Sequence, residues 1–279
     1  MPQSKWLNLS LIGELNGRVV DLRGSSGQPS PSIEKIFTEA TAPGLTTQLG
    51  FAQFGQGIEL QPSYGDRIKL NYLANFQQFV AAGDSRFSFR RFTVDLGHEY
   101  LLHKTTRSLA PRTQNGPDDC SEDAQDPKHA CPGITRALEG SISLRLLISE
   151  SIAPAGHVVP FYFQPTLGGG DLNGNTSLAS YQDYRFRAPN LLLLRGTFEH
   201  SIYGPLGFSF GVDEGKVALT RDEIDFTHLA HSYSAGLTLR AGGFPMIFVL
   251  FVWGGHEGTH TIALMNTSLL GGSARPSLF

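Results

Sequence analysis

The sequence is short of charge, cysteine and long apolar runs. Only 17% of the 279 residues are charged, little for a chain whose whole surface faces water. A formal net charge of -3 offers no basic surface to nucleic acid, which we exclude as a partner. The longest apolar run, Phe244 to Trp253, is too short for a membrane-spanning helix but long enough for a tilted membrane strand of about 9–11 residues.

The two cysteines, Cys120 and Cys131, lie close together in one polar segment. In an oxidising compartment they are expected to form a loop-closing disulfide, and two free thiols are the alternative. His129 is the only soft ligand nearby, which disfavours a metal site. We expect neither a metal nor another cofactor.

Catalytic motifs are also missing. His256-Glu257-Gly258-Thr259-His260 departs from H-E-x-x-H and follows two glycines, which indicates a solvated turn. Ser149, Ser151 and His157 have no G-x-S-x-G context, so we expect no enzyme activity and no catalytic residues.

The chain is rich instead in Phe (19) and Gly (32), and its dominant pattern is alternation with period two. Between Arg67 and Phe79, and again between Arg91 and Leu101, apolar and polar residues alternate over segments longer than most globular strands. Aromatic residues lie near the ends of these segments, as in the interface girdles of membrane barrels. They are Phe79, Phe87, Tyr100, Tyr203, Phe226, Tyr233, Phe244 and Trp253.

These features predict an all-β fold, an antiparallel transmembrane β-barrel of about ten strands, with a soluble β-sandwich as the alternative. Residues 1–279 form a single domain in this interpretation, and 104–135 are a long exposed loop. A helical turn is expected at 33–40, and a short extra strand at 19–22. The predicted strands are 6–14, 45–54, 67–80, 89–103, 136–149, 190–202, 206–217, 231–241, 244–253 and 259–270.

A Gly-rich segment, Pro160 to Arg187, interrupts the alternation. It resembles the loop of BamA/TamA-like barrels, the bacterial surface antigen family, which reads L-G-G and then L-R-G-Y. Leu167, Gly168 and Gly169 match the first half. The second half corresponds to Leu178, Ala179, Ser180 and Tyr181. The resemblance extends over 160–270.

The resemblance implies that this loop folds into the barrel lumen, where its arginine pairs with acidic residues of the wall. Strand parity places the side chains of Glu199 and Asp213 inside, and two such carboxylates need a cation between them. The family arginine is Ala179 here, so we predict that another arginine takes its place. The candidates are Arg185, Arg187 and Arg195.

The resemblance further implies location in a bacterial outer membrane and a role in outer-membrane protein assembly or translocation. Its partners would be outer-membrane lipid, unfolded outer-membrane proteins or assembly accessory proteins. Residues 1–6 carry no signal peptide, so we expect a truncated start. A passive pore or structural surface barrel that has lost assembly activity is the alternative function.

Overall fold

The computed structural model describes residues 8–21, 36–47, 49–65, 67–107, 134–170, 176–241, 244–255, 257 and 259–265. Within them the fold is all-β, with three single-turn 3-10 helices between strands. The strands are β1 (Leu9–Val19), β2 (Gly50–Leu60), β3 (Ser63–Tyr64), β4 (Ile68–Ala81), β5 (Phe89–Arg107), β6 (Ile134–Ile152), β7 (Thr166–Leu167), β8 (Phe186–Arg187), β9 (Asn190–Tyr203), β10 (Leu206–Ala218), β11 (Ala230–Ala241), β12 (Phe244–Trp253) and β13 (His260–Met265).

Ten of these strands form one antiparallel sheet in the order β1-β2-β4-β5-β6-β9-β10-β11-β12-β13. β3 adds a short pairing with β4, and β7 pairs only with β8. Every long strand therefore neighbours the long strand that follows it along the chain. Within the described residues, β1 and β13 are the two edges of the sheet and do not pair with each other.

The side chains on the two faces of the sheet differ in character and in exposure. One face, here called the open face, carries apolar side chains that remain exposed, including Leu11, Leu144, Leu237, Val249 and Phe251. The other, the covered face, carries polar side chains that are buried, including Gln53, Asn75, Gln77, Thr93 and Ser149. A sheet packed on a water-excluding core would bury the apolar set instead.

Two strand predictions were displaced along the chain. β1 and β2 run to Val19 and Leu60, beyond the predicted segments 6–14 and 45–54. The reason is glycine: Gly55 and Gly57 have no side chain to show the alternation, yet they pair with β1 and β4 in full register. Glu14 fills the space at Gly55, where an added Cβ would lie 3.0 Å from its Oε2.

Other predicted bounds also changed. β5 continues to Arg107 and β6 begins at Ile134, so both strands take residues from the predicted loop 104–135. The ladder between them, which includes the pair Thr105 and Arg136, satisfies main-chain groups that a loop would leave to water. The expected extra strand at 19–22 is not separate, because Val19 ends β1. Of the predicted helical turn at 33–40, residues 33–35 lie outside the described residues and Ile36 is helical. Beyond it, the amides of residues 41 and 42 both donate to the Thr38 carbonyl.

The covered face holds the principal apolar core, at the end of the sheet where β4 ends and β5 begins (the loop end). Phe51, Phe79, Phe89 and Phe163 pack there, with Phe79 and Phe89 stacked at 4.5 Å between ring centroids. Phe79 and Phe87 are buried, so the prediction that they belong to an exposed aromatic girdle was wrong for these two. Parity alone could have assigned Phe79, since it shares a face with Gln77.

No helix among the described residues is long and apolar enough to cross a membrane.

Candidate functional site: a loop docked on the covered face

The connection between β6 and β9 lies against the covered face. It begins with the 3-10 turn Phe161–Phe163, whose Phe163 ring packs against the rings of Phe51 and Phe79. The Phe163 carbonyl accepts a hydrogen bond from Arg91, a side chain with no exposed surface. The Arg91 guanidinium also lies 5.4 Å from the centre of the Phe89 ring, a cation–π distance. This arginine thus ties the start of the loop to β5.

Gly168 and Gly169 form the tight turn that follows β7. Both have positive φ, at 102° and 57°. A Cβ at Gly169 would lie 2.7 Å from the main-chain nitrogen of Asp183 and closer still to its Oδ1. Only glycine permits this approach of two loop arms. Leu167, beside the turn, is buried where Gly215 of β10 leaves room for its side chain.

The sheet holds the loop mainly by its main chain. Arg195 of β9 donates to the Thr176 carbonyl. The Leu178 amide donates to Asp213 of β10 at 2.8 Å. The other two contacts come from farther along the sheet. The Ser180 amide donates to Ser232 of β11 at 2.9 Å, and the Gln182 amide donates to Glu257 beyond β12 at 3.1 Å. We call these four contacts the main-chain grip.

Leu178 anchors the middle of the grip in spite of a strained backbone. Its φ is 47°, a conformation that costs a leucine on the order of 1–3 kcal/mol. Its side chain is fully buried, in a cluster that includes Leu147, Leu191 and Leu193. Burying a leucine contributes about 1.5–3 kcal/mol, which offsets the strain.

Glu199 and Asp213 both lie on the covered face, and each has its own arginine. Asp213 accepts from Arg195 through both oxygens, at 2.8 and 3.0 Å. Glu199 lies 3.4 Å from Arg240 of β11, and both side chains are under 10% exposed. Thr238 also donates to Glu199, at 3.4 Å. The two carboxylates therefore do not share a single cation.

The Asp213–Arg195 pair is one half of a row that crosses four strands. Arg195 is directly opposite Arg145 of β6 in the strand register. Arg145 in turn donates to both oxygens of Asp95 on β5, at 2.8 and 2.7 Å. The order acid, base, base, acid places each arginine beside its own carboxylate and keeps the row neutral. A cavity of about 530 Å³ borders the row, next to Arg145 and Arg195.

Ala179, where the sequence resemblance would place an arginine, meets an apolar surface. It packs against Leu250 and Val252 of β12, with Phe248 and Ile262 around them. The contacts of Ala179 in this cluster are therefore apolar. An alanine fits here without the buried polar group that an arginine would bring.

The other two candidate arginines bind elsewhere in the loop. Arg185 forms an ion pair with Glu257 in the turn between β12 and β13. The Gln182 amide and then Arg185 hold the pKa of Glu257 below its usual value. Arg187 donates to the Phe161 carbonyl at 2.7 Å, and burial lowers its pKa. Among the three candidates, only Arg195 contacts a predicted acid.

No family model matches the chain, and no curated protein matches it either.

The sequence did not predict that Arg240 and Glu257 belong to this site. Arg240 alternates with Leu239 and Leu237 of the open face, so parity alone could have placed it on the covered face, which also carries Glu199. Glu257 follows a glycine pair in a turn, and no local pattern links it to a loop some 75 positions earlier. Cys120, Cys131 and His256 lie outside the described residues. Within the described part, no cluster of three or more potential metal ligands occurs.

The apolar side chains of the open face do not extend to the loop end of the sheet. At the loop end, polar side chains replace the apolar ones on several neighbouring strands, as the register assigns. We call this set the polar rim: Gln78, Arg90, Glu150, Glu214, Lys216 and His231. Two of its charges are balanced, since Glu150 pairs with Arg221 and Lys216 pairs with Asp225.

Proposed function

We propose that the chain forms a β-barrel in a bacterial outer membrane, in the manner of the BamA/TamA-like family, and takes part in the assembly or translocation of outer-membrane proteins. The observation that carries the proposal is the contrast between the two faces of the sheet. Apolar side chains are exposed on one face, and the other face buries many polar side chains and holds the docked Gly-rich loop. The covered face would line the lumen and the open face would contact lipid.

The open face has the dimensions of a membrane band. On β5 it runs from Phe92 to Leu102, which is on the order of 33 Å at about 3.3 Å per residue. A strand tilt of about 40° reduces this to roughly 25 Å, the height of the apolar band in outer-membrane barrels. His98 interrupts the band, but its Nε2 lies 2.9 Å from the Tyr72 hydroxyl, so the polar group has a partner.

The docked loop supports the family role more than the barrel alone does. A Gly-Gly turn, a buried leucine and main-chain contacts to three strands hold it on the covered face. Closure of the sheet would bring β1 and β13 together, and a seam of this kind is where an incoming strand could pair by main-chain hydrogen bonds.

The experiment has two stages. The refolded chain is first mixed with phosphatidylcholine vesicles and floated on a density gradient. We expect it to float and to resist carbonate extraction, and recovery in the aqueous fraction without detergent would contradict the membrane proposal. Vesicles that hold the chain are then supplied with an unfolded outer-membrane protein, whose folding we expect to accelerate. An unchanged folding rate would contradict the assembly role.

A passive pore or structural barrel is the second candidate, and Ala179 favours it. In place of an arginine that engages the wall by charge, Ala179 makes a fixed apolar contact with Leu250 and Val252. Planar-bilayer recording distinguishes the two functions. Stable open-channel currents without accelerated client folding would support the passive pore over the assembly role.

A further inference from the structure

Arg90 stands apart from the other basic side chains at the loop end of the open face. Arg86 pairs with Asp84, and Arg221 and Lys216 pair with Glu150 and Asp225. Among the described residues, Arg90 has no ion pair, and its side chain is exposed. Its charge is therefore available to a ligand.

A small cavity lies beside this free charge. Its volume is about 190 Å³, and Gln78, Arg90, Ser88, Ile152 and His157 help to line it. Gln78 is directly opposite Arg90 in the β4–β5 register, so both side chains start from neighbouring positions on the same face of the sheet. His157 is fixed by its Nδ1, which lies 3.1 Å from the Ser88 carbonyl.

The surroundings combine the exposed charge of Arg90 with a cavity surface and an adjoining wall that are mostly apolar. Phe92, next along β5 on the same face, is 40% exposed, and Ile152, opposite Arg90 on β6, is 38% exposed. An anionic headgroup with an attached acyl chain can contact both the charge and the apolar surface, whereas a free anion can contact only the charge. Glu150, which lies diagonally across from Arg90, is neutralised by Arg221 and does not repel such a group strongly.

We propose that Arg90, Gln78 and His157 bind the phosphate of an anionic lipid headgroup, with the acyl chain of that lipid along Phe92. Arginine suits phosphate because its planar fork donates two hydrogen bonds in addition to charge. The inference rests on the proposed function, since it requires the open face to contact lipid.

The test uses nanodiscs that contain equal amounts of phosphatidylglycerol and phosphatidylcholine. Native mass spectrometry measures the lipids retained on the protein after the disc is removed. We expect the wild type to retain phosphatidylglycerol over phosphatidylcholine by about fivefold or more, as a charge-assisted hydrogen bond would give. Arg90→Gln should abolish the preference, and Arg90→Lys should keep part of it.

Arg86→Gln is the matched control, because Arg86 lies in the same region but is already held by Asp84. It should retain the wild-type preference. Heat-modified migration on a gel verifies that each variant is folded. An Arg90→Gln variant that is folded and keeps the full preference would overturn the proposal, as would a wild type with no preference.

Two further results separate the possible failures. Displacement of phosphatidylglycerol by inorganic phosphate would show that the site binds free anions, which overturns the lipid assignment. If the wild type does not float with vesicles at all, the proposed function fails and the lipid site falls with it. Flotation without headgroup preference overturns the lipid site alone.

Discussion

At the scale of single residues, the Asp213–Arg195 pair links the sheet to the loop. Asp213→Asn leaves Arg195 without a carboxylate and weakens the hydrogen bond from the Leu178 amide, so we expect a loss of about 2 kcal/mol in unfolding free energy. Arg195→Met should cost a similar amount. Urea unfolding in detergent measures both, and the double variant should cost at least about 1 kcal/mol less than the sum.

Glu99→Gln is the control for the Asp213 and Arg195 variants. Glu99 lies 3.9 Å from Lys69, and both side chains are more than 40% exposed. Such a pair contributes about 0.5 kcal/mol or less. Strictly additive losses at Asp213 and Arg195 would mean that their contact contributes nothing of its own.

An arginine at position 179, where the sequence resemblance would place one, should destabilise this protein. Ala179→Arg would push a guanidinium against Leu250 and Val252, where the apolar cluster offers it no partner, and we expect a loss of about 2 kcal/mol. The urea midpoint in detergent measures the effect, with Ala179→Ser as a small-residue control. A more stable Ala179→Arg variant would mean that an acidic group of the wall comes within reach.

At the scale of the element, the docked loop depends on its glycine turn. Gly169→Ala should lower the unfolding free energy by about 2 kcal/mol, because φ is 57° and the new Cβ meets Asp183. Gly170→Ala is a close control: its Cβ would lie 3.6 Å from the nearest atom, an ordinary contact. Thermal unfolding compares the two, and equal losses would contradict the steric reason.

The turn between β10 and β11 should respond to acid. The Lys216 ammonium, then the hydroxyl and amide of Thr227, lower the pKa of Asp225 to about 2 from 3.8. Because this pKa is depressed in the fold, its stabilising contribution is complete above about 4 and is lost as the pH falls through about 2. The chemical shift of the Thr227 amide should follow that titration, and Asp225→Asn should remove it. A midpoint near 4 in the wild type would contradict the pairing.

Strands were predictable where side chains alternate without interruption. The predicted segments 190–202 and 206–217 differ from β9 and β10 by one residue at one end. Around Gly55 and Gly57 the alternation is invisible, because the register there depends on hydrogen bonds to neighbouring strands rather than on local side chains. The inward position of Asp213 followed from parity, whereas its arginine had to be chosen among three by geometry.

At the scale of the whole molecule, a substitution on the open face tests whether that face contacts lipid or water. Leu144 on β6 is 59% exposed, far from either end of its strand. In a bilayer, Leu144→Arg should cost about 2–4 kcal/mol, whereas an exposed position in water would tolerate it. Folding into vesicles over a urea series measures the difference. Leu219→Arg, at an exposed position in the β10–β11 turn, is the control, and equal tolerance of both variants would argue for a water-facing sheet.

The main-chain grip has a consequence for how this loop can change over time. A carbonyl at Thr176 and amides at Leu178, Ser180 and Gln182 are groups that almost any residue supplies. The side chains of Thr176 and Gln182, unlike the buried ones of Leu178 and Ser180, can therefore change while the docking is kept. The residues that would identify this docking are then its partners on the sheet and in the β12–β13 turn. They are Arg195, Asp213, Ser232 and Glu257, which are far apart along the chain. A search for contiguous loop letters would overlook relatives that share this anchorage, whereas one for these four spaced positions would find them.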